Sequence, residues 1–188
     1  LESAKILYKC PRFDLKSRKS LRGGEKYYLA DPGIRFARNT DTRVSYGPSL
    51  ENALYTHLRS KGYDVSVGTI GKLECDFIVR KRNQYAYIQV SMSVQDPQVE
   101  EREYRPFSKL ADGYPKYLFT LDPLPLQRDG VRHLNLLEFL QNDGDIDFDY
   151  TLIMAIMSCG APVVQTHHTH CGGVRRCGYV RRRRAWRR

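Results

Sequence analysis

Four residues carry groups that could act together: Glu51, Asp76, Gln89 and Ser91. Glu51 lies near the start of a segment with helical periodicity, Asp76 interrupts the apolar run from Leu73 to Arg80, and Gln89 and Ser91 sit two apart in the run from Tyr85 to Met92. A carboxylate inside an apolar strand is costly, by about several kcal/mol, unless something pairs with it, so Asp76 demands a partner. If the chain reverses at Arg82-Asn83, Asp76 stands opposite Gln89 and Glu74 opposite Ser91. Directly opposed residues share a face of the sheet, with Cβ atoms about 5 Å apart. Two carboxylates and an amide carbonyl are oxygen donors of the kind Mg²⁺ takes while keeping waters. Glu51, Asp76 and Gln89 are therefore candidate metal ligands, and metal-assisted hydrolysis is the chemistry they imply. A one-residue slip would scatter the group over both faces. The plainer alternatives are a first-turn acid at Glu51, favoured by the helix dipole, and an Asp76 satisfied by Gln89 and Ser91 without metal. The basic tip Arg80, Lys81, Arg82 suits phosphate contact or simple solvation.

The elements that must position these groups follow from pattern. Leu1 to Leu15 reads as extended and broken by Pro11, and Lys16 to Glu25, with Gly23-Gly24, reads as a turn. Lys26 to Ala30 is a short aromatic strand, and Asp31-Pro32 opens a brief helix through Ala37. Leu50, Ala53, Leu54, His57 and Leu58 form one apolar stripe capped at Ser49, with Gly62 as the stop. His57 reads as a boundary residue of that stripe. Three strands follow, Tyr63 to Ile70, Leu73 to Arg80 and Tyr85 to Met92. Asp96-Pro97 opens a charged helix from Gln98 to about Tyr104, broken or ended at Pro106. Tyr114 to Leu121 and Val131 to Leu134 are strands, and Leu136 to Leu140 a short helix. The order helix, three strands, helix, strand is an α/β pattern around a mixed sheet.

Five blocks carry a resemblance. Tyr27-Tyr28-Leu29-Ala30-Asp31-Pro32-Gly33-Ile34-Arg35, Leu50-Glu51-Asn52, Glu74-Cys75-Asp76-Phe77, Tyr87-Ile88-Gln89-Val90 and Tyr114 to Asp122, in that order, resemble the C-terminal domain of bacterial and archaeal AAA+ ATPases, the domain of unknown function numbered four-one-four-three. The likeness runs from near residue 1 to about Gln141. It implies a restriction-endonuclease-like α/β fold of the PD-(D/E)XK kind, a mixed sheet flanked by helices, over residues 26–143. Residues 1–25 would then be the end of a winged-helix or connecting segment, and the chain a fragment joined to an ATPase region. In active nucleases of that fold a helix Glu, a strand Asp and a Glu-x-Lys or Gln-x-Lys pair bind metal and activate water. By resemblance Glu51, Asp76 and Gln89 take the first three positions, with Mg²⁺ as cofactor, and Ser91 stands where the lysine belongs. A neutral hydroxyl cannot stabilise charge developing on a phosphate as an ammonium does. Lys72 and Lys109 are candidates for a displaced lysine. The expectation is an accessory, nuclease-like docking or nucleic-acid-associated domain. The alternative is an active Mg²⁺-dependent nuclease with its lysine displaced.

Charge separates domain from tail. The net charge is +10, yet eight arginines follow the last acidic residue, Asp149, leaving 23 basic against 21 acidic residues through Tyr150. Residues 144–188 read as a disordered tail rich in Arg, His and Cys. His167, His168, His170, Cys171 and Cys177 suggest zinc without matching a compact finger, the arginines suit nucleic acid or an anionic surface, and the abrupt change of composition suits an out-of-frame reading. Cys10 and Cys75 read as buried, reduced thiols. With no secretory signal and no apolar run of membrane-spanning length, the expected location is the cytoplasm. No Gly-x-x-x-x-Gly-Lys-Ser/Thr occurs, so there is no phosphate-cradling ATP loop in this sequence.

Overall fold

A computed structural model describes residues 1–38, 46–125 and 127–149. The tail with its His, Cys and Arg clusters lies outside them. In chain order the elements are β1 (Leu7–Asp14), β2 (Lys19–Leu29), α1 (Gly33–Arg38), α2 (Gly47–Ser60), β3 (Asp64–Ile70), β4 (Leu73–Lys81), β5 (Gln84–Val90), α3 (Pro97–Ser108), β6 (Lys116–Thr120), β7 (Val131–Asn135) and α4 (Leu136–Gln141). The seven strands form one mixed sheet in the order β2-β1-β3-β4-β5-β6-β7. β3, β4 and β5 are an antiparallel meander, whereas β1–β3, β5–β6 and β6–β7 pair in parallel. Parallel neighbours need a crossover, and α3 supplies the one between β5 and β6.

Two apolar clusters sandwich the sheet. Leu54, Tyr55 and Leu58 of α2, with Leu136 of α4, pack on Val65, Val67, Phe77, Val79, Ile88, Tyr117 and Phe119. Tyr104 and Phe107 of α3 pack on Ile78, Tyr87 and Leu118. Period-2 alternation along β4 and β5 sends neighbouring residues to opposite clusters, as in strands covered on both sides. His57 sits at the edge, its Nε2 2.8 Å from the Gly144 carbonyl oxygen. Cys10 and Cys75 are buried free thiols, and burial pushes the Cys10 thiol up to about 12.

Several expectations require correction. Residues 1–25 are not a segment leading into the domain: β1 and most of β2 lie in the sheet, with Leu7 opposite Leu29 and Arg12 opposite Val67. The Gly23-Gly24 pair, at φ +84° and +69°, reads like a turn but lies inside β2, across from the irregularity between Cys10 and Arg12. Such a bulge bends a strand without ending it. The α2 cap is Tyr46 rather than Ser49, with a proline in the first turn. Pro106 does not end α3, which continues to Ser108. The proline removes one hydrogen bond, and burial of Phe107 against the sheet holds the last turn. The domain also runs past residue 143. Ile146 is a core residue, its N–H donates to the Tyr63 hydroxyl at 3.2 Å, and the Tyr117 hydroxyl donates to the Asp147 carbonyl at 2.6 Å. Among the described residues no helix is long and apolar enough to cross a membrane.

Gly68 marks a second irregularity, where the β3–β4 register shifts between Ser66 and Gly68. A Cβ there would stand 2.9 Å from the Cys75 Cβ and 3.1 Å from Ile78 Cγ1. Gly68→Ala is expected to destabilise the chain by about 1–3 kcal/mol through overpacking, read as a lower denaturant midpoint. An unchanged midpoint would mean that the shift does not depend on this close approach.

Candidate functional site

The ladder between β4 and β5 keeps the register expected from a turn at Arg82-Asn83, from Lys81–Gln84 to Phe77–Ile88. Arg82 makes that turn at φ +58°. Beyond Phe77 two side chains continue the ladder. The Asp76 N–H donates to Gln89 Oε1 at 2.7 Å, and the Val90 N–H donates to Asp76 Oδ2 at 2.9 Å. The facing pair is therefore present, but the expected side-by-side arrangement of carboxylate and amide is not. Cys75 packs in the α3-side cluster and Phe77, two residues on, in the α2-side cluster, so alternation breaks at Asp76.

The break brings Asp76 toward β2 and α2. Lys26 Nζ stands 2.7 Å from Glu74 Oε1, 3.4 Å from Glu51 Oε2 and 3.8 Å from Asp76 Oδ1. Arg12 of β1 reaches the other Glu74 oxygen at 2.7 Å, and the Tyr28 hydroxyl donates to Glu51 at 3.3 Å. Asn52 fixes the position of Glu51: its amide accepts from the Leu29 N–H and donates to the Leu29 carbonyl, both at 2.8 Å. That amide does for α2 what a ladder pair does for a strand, since a buried amide satisfied on both sides locks its element in place. Tyr28 stacks on Tyr55 at 4.3 Å between ring centroids, closing the wall behind the cluster. Lys26, Tyr28 and Glu51 line a cleft of about 420 Å³ that also takes in Tyr27, Pro48 and Asn52.

Electrostatics follow from this crowding. Burial and the Glu51 charge push the Asp76 carboxyl up to about 7, against the pull of the Val90 N–H and of Lys26. Burial works against charge at Lys26, but the hydrogen bond to Glu74 and the charges of Glu51, Asp76 and Glu74 outweigh it and hold the ammonium above the ordinary lysine range. Burial likewise opposes ionisation of Glu74, and Lys26 and Arg12 overcome it, leaving that carboxyl below its usual value.

The remaining sequence candidates bond to other groups. Gln89 turns its amide N–H toward Glu103 of α3 at 3.2 Å, a carboxylate that Arg102 also grips at 2.7 Å. The Ser91 hydroxyl donates to the Ser93 carbonyl at 3.3 Å, and its N–H joins β6 at Phe119. Ser91 is not part of the cluster. Arg80 and Lys81 lie at the far end of β4 and face rings, Arg80 over Phe13 at 5.5 Å and Lys81 over Tyr63 at 4.6 Å. Lys72 and Lys109 line a different cleft. The lysine that does meet the carboxylates is Lys26, in a segment read as a plain aromatic strand. Its signal was the Lys26–Tyr28 spacing, which puts a cation and a phenol on one face of a strand. Glu51 is not the first-turn acid it could have been, since α2 begins at Gly47 and has no acid in its first turn.

These residues do not fit a divalent cation as they stand. Among the described residues no group of three or more His, Cys, Asp and Glu is placed to hold a metal, and an ammonium already occupies the space between the carboxylates. The arrangement can hold a proton on Asp76 near neutrality and can neutralise buried acids internally.

The raised pKa makes a prediction with a definite sign. A carboxyl whose folded-state pKa lies above its unfolded value favours the folded chain when protonated, and that advantage disappears as pH rises through the folded value. Asp76→Asn, which keeps an acceptor for the Val90 N–H, should therefore gain stability relative to the parent between pH 5 and pH 8. The gain should be about a few kcal/mol at most, read by denaturation at each pH. A constant difference across that range would contradict the raised value.

Comparison with known proteins gives one relative to report. An uncharacterized protein of Haemophilus influenzae (strain Rd) is 31% identical over 120 residues, a stretch that is 64% of this chain and 29% of that protein. The greater part of the relative thus lies outside the match. No protein-family model matches the chain, and no solved structure matches it.

Proposed function

We propose that this chain is the nuclease-like accessory domain of a prokaryotic AAA+ ATPase, with its metal site replaced by an internal ion cluster. It serves as a docking or nucleic-acid-associated module. The observation that carries the reading is the Lys26 ammonium among Glu51, Glu74 and Asp76. An ammonium in that place balances carboxylates that otherwise need a cation, since a buried charge left unpaired is strongly destabilising. The succession α2, β3-β4-β5, α3, β6, with β6 parallel to β5, supports the restriction-endonuclease-like class of fold. The length of the Haemophilus relative beyond the match is in keeping with an attached ATPase region, and any ATP-linked work belongs to such a region. Fold analogy sets the class, and the site decides the activity.

A second reading has its own support. The Asp76 carboxyl is raised chiefly by burial and then by the Glu51 charge, and a carboxyl so perturbed is a mark of functional sites. On that reading the chain is a metal-dependent nuclease and Lys26 is the displaced lysine.

Cleavage of labelled DNA and RNA by the full chain, with Mg²⁺ or Mn²⁺, separates the two. The accessory-domain reading expects no cutting above the level of Asp76→Ala. Cutting by the parent that disappears in both Asp76→Ala and Lys26→Ala would replace it with the nuclease.

A further inference from the structure

Beside the end of α3, the β1–β2 and β3–β4 turns enclose a second cleft, of about 580 Å³, within the range of roughly 300–1,000 Å³ usual for small-molecule sites. Its floor is apolar, made by Leu15, Ile70, Leu73 and Leu110. Four cations from three separate pieces of chain surround it: Lys16 after β1, Lys72 in the β3–β4 turn, and Arg105 and Lys109 at the end of α3.

All four are exposed, and none forms an ion pair among the described residues. Some cations outside the cleft are answered, Lys9 by Glu25 at 2.9 Å, Lys61 by Asp143 at 2.6 Å and Arg128 by Glu100 at 3.0 Å. The carboxylate on the cleft lining, Asp112, is engaged through Oδ2 by the Tyr87 hydroxyl at 2.6 Å and Arg18 at 3.3 Å, and its Oδ1 is buried without a partner. Arg105 and Lys109 have a local reason to be there, since cations complement a helix C-terminus. Lys16 meets the Asp14 charge two residues earlier and Lys72 has no such partner, and four like charges around one concavity repel each other unless an anion enters.

We propose that this cleft binds a nucleotide. Its phosphate lies among Lys16, Lys72, Arg105 and Lys109, and its base or sugar covers Leu15, Ile70, Leu73 and Leu110. A bare anion leaves the apolar floor wet, and an uncharged apolar ligand leaves the cations unanswered. A nucleotide satisfies both, whether free or as one unit of a single strand. The inference rests on the cleft and not on the nuclease-like reading.

The test titrates the full chain with adenosine and thymidine monophosphates and with a short labelled oligodeoxythymidylate. The parent is expected to bind at least one probe. Lys72→Ala combined with Lys109→Ala should weaken that binding about tenfold or more and flatten its salt dependence. Lys16→Ala should weaken it by a smaller factor. Lys5→Ala, an exposed cation outside the cleft lining, should change it less than about twofold. These side chains are exposed, and an unchanged circular dichroism spectrum confirms that each variant is folded. Binding of a monophosphate assigns the free nucleotide, and binding of the oligonucleotide alone assigns the strand. Either outcome, with the Lys72 and Lys109 dependence, supports the cleft. No binding of any probe by the parent overturns it, and so does an equal loss in Lys5→Ala. Neither failure bears on cleavage, which is what decides the carboxylate site.

Discussion

The Lys26 ammonium holds together groups that would otherwise repel. Glu51 comes from α2, Glu74 and Asp76 from β4, and Lys26 from β2. Three partly buried carboxylates at this spacing are tolerable only with a cation among them, because an unpaired buried charge costs about several kcal/mol. Lys26 supplies that cation, and Arg12 of β1 adds a second at Glu74. The β1–β2 hairpin is thus both the edge of the sheet and the source of charge balance for the site. Detaching it would strand Glu51 and Asp76 together. Burial and the Glu51 charge raise the Asp76 carboxyl to about 7, so the cluster can hold a proton there near neutrality.

Much of the scaffold was legible in the sequence because the signals are local. The stop at Gly62, the turn at Arg82 and the Asp96 cap, whose carboxylate accepts from the Gln98 N–H at 2.8 Å, each follow from a few adjacent residues. The β4–β5 register was legible too, because one tight turn fixes it. What escaped was non-local. Gly23-Gly24 has turn composition, and only the pairing of β2 along β1 keeps it in a strand. The same pairing brings Lys26 to Glu51, 25 residues further along the chain, a contact that no spacing rule announces. Gln89 does meet Asp76, through the Asp76 N–H, whereas Ser91 bonds to Ser93 and β6 instead. The β3–β4 shift at Gly68 and the break in alternation at Asp76 are responses to packing on both faces, and a uniform period-2 reading cannot contain them.

The two clefts divide the chemistry of the molecule. One opens on Lys26 and Glu51 and is internally neutralised. The other gathers Lys16, Lys72, Arg105 and Lys109 and leaves positive charge open to solvent. A domain close to neutral overall, as the sequence is through Tyr150, can still attract an anion where its charges are unevenly placed. Lys72 and Lys109, considered in sequence as substitutes for a missing lysine, belong to that second cleft. The hairpin-tip cations Arg80 and Lys81 stand over Phe13 and Tyr63, contacts that tie them to the domain.

The central claim is that Lys26 stands in the place of a metal ion, and Mn²⁺ binding tests it most directly. Paramagnetic titration of the full chain and of Lys26→Ala, each beside its Asp76→Ala counterpart, isolates the part of the binding that depends on Asp76. The account predicts no Asp76-dependent site in the parent and a saturable one in Lys26→Ala, where the vacated carboxylates can accept the ion. An Asp76-dependent site in the parent as tight as that in the variant would contradict it.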